Sequence, residues 1–295
     1  MRESRLEQTG RMASSTSGRR GRGRLLSPAA VVLAAVAVLL SASQALAAPC
    51  YPRVFSFGDS LADTGNGPFL YGNESRRPPL WPPYGETFFH RATGRASNGR
   101  LIIDFIADAL GLPFLRPYWG GRTTGDFASG ANFAVGGATA LSPDFFWERG
   151  VHVRDTVHLD MEMNWFRDLL GLLCPDDLAE TEGATDPGEG QDPQDLEQDC
   201  NDMMNQSLFL VGEIGGNDYN HPLMGGVSIR KIRSFTPSII AKISSTITEL
   251  IGLGAKTLVV PGNLPIGCIP HYLMIFKSGK KEDYEPETGC LRWMN

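Results

Sequence analysis

Long apolar runs are missing from this sequence. The most apolar stretch, AAVVLAAVAVLL at 29–40, falls short of the about 20 residues that a spanning helix requires. No second run approaches that length, so no stable membrane span is expected in the mature chain. Positive charge is also short. Lys and Arg number 27 against 33 Asp and Glu, for a net charge of -6. That balance argues against nucleic acid as a partner, because phosphate binding needs clustered positive charge. None of the five cysteines has a zinc-site spacing. There is no G-x-S-x-G, which excludes the nucleophile elbow of ordinary α/β-hydrolases. There is no Walker loop and no G-x-G-x-x-G after a strand, so nucleotide-binding loops are not expected. No internal repeat is present.

What is present is an ordinary globular composition, 42% hydrophobic and 20% charged, enough to bury a real core. The basic run Arg19, Arg20, Arg22 and Arg24 precedes the short apolar stretch, and Ala45-Leu46-Ala47 follows it. That order predicts a secretory signal over 1–47 with cleavage before Ala48, and a secreted, extracellular product. The basic leader is long, and Met12 as the start would shorten it. An uncleaved anchor or a transit peptide is the competing reading. Residues 48–295 then form a single domain. In an oxidising compartment disulfides are expected. Cys174 and Cys200 flank an acidic segment, and Cys268 and Cys290 flank another loop. Pairing within each couple leaves Cys50 over. The sequons at Asn73 and Asn205 are candidate glycan sites.

Four short β-prone runs end in glycine or polar turns. They are VFSF at 54–57, ANFAV at 131–135, SLFLVGEI at 207–214 and KTLVVPGNLP at 256–265. Helical spacing of apolar residues occurs at 101–112 and from about Ile229, where Pro237 predicts a kink or restart. Strands alternating with helices predict an α/β fold with a parallel sheet covered on both faces. Sites in such sheets gather at the carboxyl ends of the strands. The segment 176–202 holds eleven acidic residues and no Lys or Arg. It is expected to be a flexible, solvated loop.

The strand ends carry the chemistry. The first supplies Gly58-Asp59-Ser60, the second Asn132 and Gly137, and the third Asn217. A serine hydrolase needs a nucleophile, donors for the developing oxyanion and a base. A serine at a sharp strand-to-helix turn is exposed. A glycine loop lets a backbone N–H approach closely, and an asparagine adds a side-chain donor.

In this combination the chain resembles the plant GDSL esterase/lipases of the SGNH-hydrolase superfamily, through FSFGDSLADTGN, NFAVGGAT, GEIGGNDYN and VVPGNLPIGCIP. The resemblance implies a three-layer α/β/α sandwich of flavodoxin-like type. It implies a secreted carboxylic-ester hydrolase that acts through an acyl-enzyme on a small-molecule or lipid ester, with no cofactor and no metal. Ser60 is the implied nucleophile. The Ser60 and Gly137 amides and the Asn217 side chain are the implied oxyanion hole, with Gly136 the less favoured neighbour. The family's catalytic Asp and His follow a fifth strand as a late D-x-x-H pair. That pair, the last strand and the last helices are expected to be absent from this chain, which implies lost turnover. The alternative is a non-catalytic pseudo-hydrolase that binds an acylated ligand or lipid. Two other D-x-x-H strings occur, Asp155 to His158 and Asp218 to His221. Neither follows a terminal strand, and both are read as coincidental. His90, His152 and His271 are read as surface or loop residues.

Overall fold

The computed structural model describes residues 50–72, 80–174 and 193–295. The expected leader, the Asn73 sequon and residues 176–192 of the acidic segment lie outside the described residues. In chain order the main elements are β1 (Arg53–Phe57), α1 (Asn66–Tyr71), α2 (Ile102–Ala109), β2 (Gly130–Asn132) and α3 (Pro143–Trp147). Then come α4 (Leu159–Leu173), α5 (Pro193–Gln206), β3 (Ser207–Val211), α6 (Gly216–Met224) and α7 (Ile229–Arg233). The remainder are α8 (Thr236–Gly252), β4 (Thr257–Val259) and α9 (Pro270–Ile275).

The four strands form one sheet in the order β2-β1-β3-β4. All three pairings are parallel, with Phe55 opposite both Ala131 and Phe209, and Leu210 opposite Val259. Successive strand residues point to opposite faces, and the core divides accordingly. Val54, Leu208 and Leu210 pack with Leu101, Ile103 and Leu115 on the α2 side. Phe55, Phe57, Phe209 and Val211 pack with Phe166 and Leu169 of α4 and Ile239 and Leu250 of α8. Helices on both faces of a parallel sheet make the expected α/β layers. The strand order reverses direction between β1 and β3, and a ligand crevice belongs at such a switch point.

The elements are shorter than the apolar runs suggested. β2 stops at Asn132, whose side chain takes the Ala134 N–H and donates to the Ala62 carbonyl. β3 stops at Val211, before Gly212 at φ 126°. β4 keeps only Thr257–Val259, and among the described residues it pairs on one side alone. Val259 and Val260 remain 42% and 45% exposed there. Pro237 acts as expected: it sits in the first turn of α8, separated from α7. The acidic segment is corrected at its carboxyl end, because 193–202 belongs to α5 rather than to a loop. Cys174 is joined to Cys200 and Cys268 to Cys290, while Cys50 is exposed and free. Asn205 lies half-buried in the last turn of α5, and its sequon partner Ser207 is fully buried and donates to the Met203 carbonyl. Among the described residues no helix is long and apolar enough to cross a membrane.

Phe166 ties α4 to the sheet. Its ring lies 5.3 Å from Phe55, 5.6 Å from Phe57, 5.8 Å from Phe133 and 6.0 Å from Phe209. Phe166→Ala should lower unfolding stability by about 3–5 kcal/mol. Urea denaturation measures this, and a loss under about 1 kcal/mol would show that the cluster is not the centre of the core.

Candidate active site

β1 ends in a turn that requires glycine at position 58. Gly58 has φ 152°, and a Cβ there would lie 2.9 Å from the Glu213 carbonyl oxygen. The Gly58 N–H donates to Glu162 Oε2 at 2.8 Å, and the Asp59 N–H donates to the Glu213 carbonyl at 3.0 Å. The Asp59 carbonyl then accepts from Ala62 and Asp63, which closes the turn, while Asp59 Oδ1 takes the Leu61 N–H. Ser60 is left half-buried at the crest of the turn.

The polar run after the serine is an anchor. Asp63 accepts four backbone N–H groups: Gly65 and Asn66 at 2.7 Å, Gly67 at 3.2 Å and Gly136 at 2.8 Å. The buried Asn66 donates to the carbonyls of Asn132 and Ala134 and accepts from the Trp119 N–H. The first strand's loop is thereby tied to the second strand's glycine loop. A Cβ at Gly136 would lie 3.7 Å from Ser60 Cβ, so the two loops abut at the serine.

The six N–H groups from Gly136 to Leu141 can be followed one by one. Gly136 donates to Asp63, Ala138 to the Val135 carbonyl and Thr139 to the Val157 carbonyl. Ala140 and Leu141 donate to the two oxygens of Asp218 at 2.8 and 2.9 Å. Gly137 is the sixth, and its N–H has no acceptor among the described residues. Its carbonyl is held by two donors, Thr156 Oγ1 at 3.0 Å and His221 Nε2 at 2.9 Å.

The third strand's loop turns through Gly215 at φ 101° into α6. Asn217 lies in its first turn. Both N–H bonds of its side-chain amide are committed, to Asp59 Oδ2 at 3.1 Å and to the Ala138 carbonyl at 2.9 Å. Asn217 therefore does not stand as an idle donor.

Of the five histidines, His152 is exposed and the other four make contacts. A carbonyl can only accept, so His221 Nε2 carries the hydrogen toward Gly137 and has no lone pair for a serine proton. His158 precedes α4 with Nδ1 3.8 Å from Asp160 Oδ2. His90 Nδ1 contacts the Glu86 carbonyl, and the His271 ring lies edge-on to Tyr272. Among the described residues no hydrogen bond joins a histidine to Ser60.

Both D-x-x-H strings nevertheless touch this region. Thr156 comes from one, and Asp218 and His221 from the other. Sequence reading missed these roles, and it also missed Asp63, Asn66 and Glu162. Glu162 left one signal, since it interrupts the apolar face of α4 formed by Leu159, Met163, Phe166 and Leu169.

Burial dominates the electrostatics. Desolvation pushes the Asp59 and Asp218 carboxyls up to about 7 from 3.8. It raises fully buried Glu162 well above 4.5. Glu162 Oε1 has no hydrogen-bond partner, which also favours the neutral acid. These groups hold protons more tightly folded than unfolded. Between pH about 4 and about 7 the folded state binds more protons, so stability falls as pH rises. His158 opposes this trend: burial holds its value below 6.5, so acidification favours the unfolded state. Burial raises the Asp63 and Glu213 carboxyls as well, so five carboxyls outweigh one imidazole. The melting temperature should be higher near pH 5.5 than near pH 7.5, with Glu162→Gln shrinking the difference. A flat or reversed profile by thermal scanning would mean that these carboxyls are ionised in the fold.

A profile of the GDSL-like Lipase/Acylhydrolase family matches residues 54–292, which takes in all four strands. A GDSL esterase/lipase of Arabidopsis thaliana is 44% identical over 247 residues, covering 84% of this chain and 58% of that protein. Sinapine esterase of Brassica napus is 46% identical over 249 residues, 83% of this chain and 58% of its own length. Another Arabidopsis GDSL esterase/lipase is 41% identical over 275 residues, 92% of this chain and 65% of its own. The chain thus spans under two thirds of the length of these relatives. A match that runs from the first strand past the fourth, with identity above 40% to several members, places this chain in the GDSL-like lipase/acylhydrolase family.

Proposed function

We infer that this chain carries the nucleophile and oxyanion half of a secreted carboxylic-ester hydrolase, within a single domain at 48–295. The observation that carries this reading is the unpaired Gly137 N–H, left over on a loop that abuts Ser60 while its five neighbours are bonded. Ser60 Oγ attacks the ester carbonyl, and the carbonyl oxygen takes the growing charge. The Ser60 and Gly137 N–H groups receive that charge. The Asn217 amide joins them by giving up its bond to Asp59. Collapse of the tetrahedral species expels the alcohol and leaves the acyl group on Ser60, and water then releases the acid. Each step needs a proton carrier. None of the described histidines is bonded to Ser60, so the carrier is assigned to the late D-x-x-H pair that the family resemblance implies.

Residues 48–295 alone should turn over p-nitrophenyl acetate poorly, because an unassisted serine is a weak nucleophile and loss of the base costs up to about a million-fold. Joining them to the carboxyl-terminal part of a close relative should restore turnover. Ser60→Ala should abolish it, and Asn217→Ala should lower kcat by about 10²–10³. Sinapine belongs in the substrate panel, since one relative is named for it. If the joined protein binds acylated ligands without turning them over, the pseudo-hydrolase reading replaces this one.

The basic run, the short apolar run and Ala45-Leu46-Ala47 support export. Amino-terminal sequencing of protein collected outside expressing cells should begin at Ala48. Retention of Arg19 in a membrane fraction would reject this.

A further inference from the structure

We propose that Asp218 is a positioning residue that holds the oxyanion loop from behind, with Thr156 and His221 fixing the Gly137–Ala138 peptide, which adjoins the one that presents the Gly137 N–H. The proposal rests on the reading of Ser60 and Gly137 above. Asp218 is fully buried and reaches across 78 residues of chain to take the Ala140 N–H on one oxygen, and the Leu141 N–H on the other. Two N–H groups on adjacent residues, each facing its own carboxyl oxygen, fix the direction of the chain at that point. Three residues upstream, the Gly137 carbonyl accepts from Thr156 Oγ1 and His221 Nε2 at once. Within one peptide plane the carbonyl of Gly137 and the N–H of Ala138 are rigidly opposed, and Ala138 donates to the Val135 carbonyl. Clamping that plane on both edges restrains ψ at Gly137, and its φ of 93° is one that few other residues would hold. The Gly137 N–H is the group left without an acceptor among the described residues. Asn217 adds a fourth tie through the Ala138 carbonyl. Three side chains of α6, from Asn217, Asp218 and His221, thus grip one loop. The string Asp218 to His221 is a brace for the oxyanion donor rather than a displaced catalytic pair.

The test uses the full chain and phenylboronic acid. Serine oxygen adds to the trigonal boron, its proton leaves to water, and a tetrahedral anion results that a boron NMR signal reports. In wild type the adduct should form and should disappear in Ser60→Ala. Asp218→Asn has one acceptor for two N–H groups. It should speed hydrogen exchange at Ala140 and Leu141 about tenfold or more and weaken boronate binding about tenfold or more. Exchange at the strand amides of Phe55 and Phe209 should not change. The double variant Thr156→Val with His221→Phe should weaken the boronate and shift the Gly137 amide signal, while Ala140 and Leu141 stay protected. A merely structural Asp218 would move the strand amides and leave the boronate alone. Unchanged boronate affinity in these variants, or unchanged exchange at Ala140 and Leu141 in Asp218→Asn, overturns the proposal. If wild type forms no Ser60-dependent adduct, the nucleophile reading fails. The brace is then judged on exchange and on the Gly137 amide shift alone, and no change in either rejects it. Should Asp218→Asn not fold, Thr156→Val at its half-buried position carries the same test through boronate affinity and the Gly137 shift.

Discussion

One carboxylate organises the strand ends. Asp63 gathers three N–H groups from its own loop and one from the loop after β2. Charge-assisted bonds of this kind are about twice as strong as neutral ones. Their number matters more than their individual strength, since removing the acceptor would strand up to four donors in a buried place. Leaving each such group unpaired costs about 1–3 kcal/mol. Asn66 and Asn132 extend the same junction through carbonyls on both sides. The two loops that meet at Ser60 therefore move as one body, and the serine inherits its position from a residue three places later.

A second tether reaches that body from outside. Arg95 makes a two-pronged pair with fully buried Asp104 at 2.8 Å on each prong, and its remaining nitrogen donates to the Thr64 carbonyl. Asp104 also takes the Leu101 N–H at the start of α2. Such a pair is retained only where its hydrogen bonds are complete, because desolvation of both ions works against it. Here two backbone partners, the Thr64 carbonyl and the Leu101 N–H, complete it, and the loop of Ser60 is fastened to the helix layer on the α2 side of the sheet. From the opposite layer α4 contributes Glu162, whose contact with Gly58 is the only described side-chain bond to the base of the turn.

Much of this was legible in the chain. The strands are apolar runs closed by glycine, and glycine marks the turns because Gly58, Gly137 and Gly215 all take positive φ. The sites at their ends follow from parallel topology. Strand lengths were overestimated, because Asn132 and Gly212 end pairing while the apolar pattern continues. The allocation of hydrogen bonds was not legible. Gly58 meets Glu162 across 104 residues, and Ala140 meets Asp218 across 78. No local pattern distinguishes such partners from solvated acids. His221 shows the difficulty most plainly, since its spacing from Asp218 is read from sequence as coincidental, while its Nε2 hydrogen shows a structural task. The acidic segment misled in the other direction: charge density pointed to a loop, yet Pro193 begins a helix whose last turn runs directly into β3.

The bond between Asn217 and Asp59 gives the proposed oxyanion hole an internal rival. Any substrate oxygen that wants this amide must displace a carboxyl that already occupies it at 3.1 Å. Above pH about 7, where Asp59 is ionised, a neutral ester carbonyl is a weaker acceptor than this carboxylate and competes poorly. A tetrahedral alkoxide is stronger and wins. The exchange thus filters by charge: resting substrate gains little from Asn217, and the full interaction arrives only as negative charge accumulates. Interactions that strengthen only on the way to the transition state raise turnover rather than tighten ground-state binding. A residue next to the serine would in this way set the threshold at which the third donor joins.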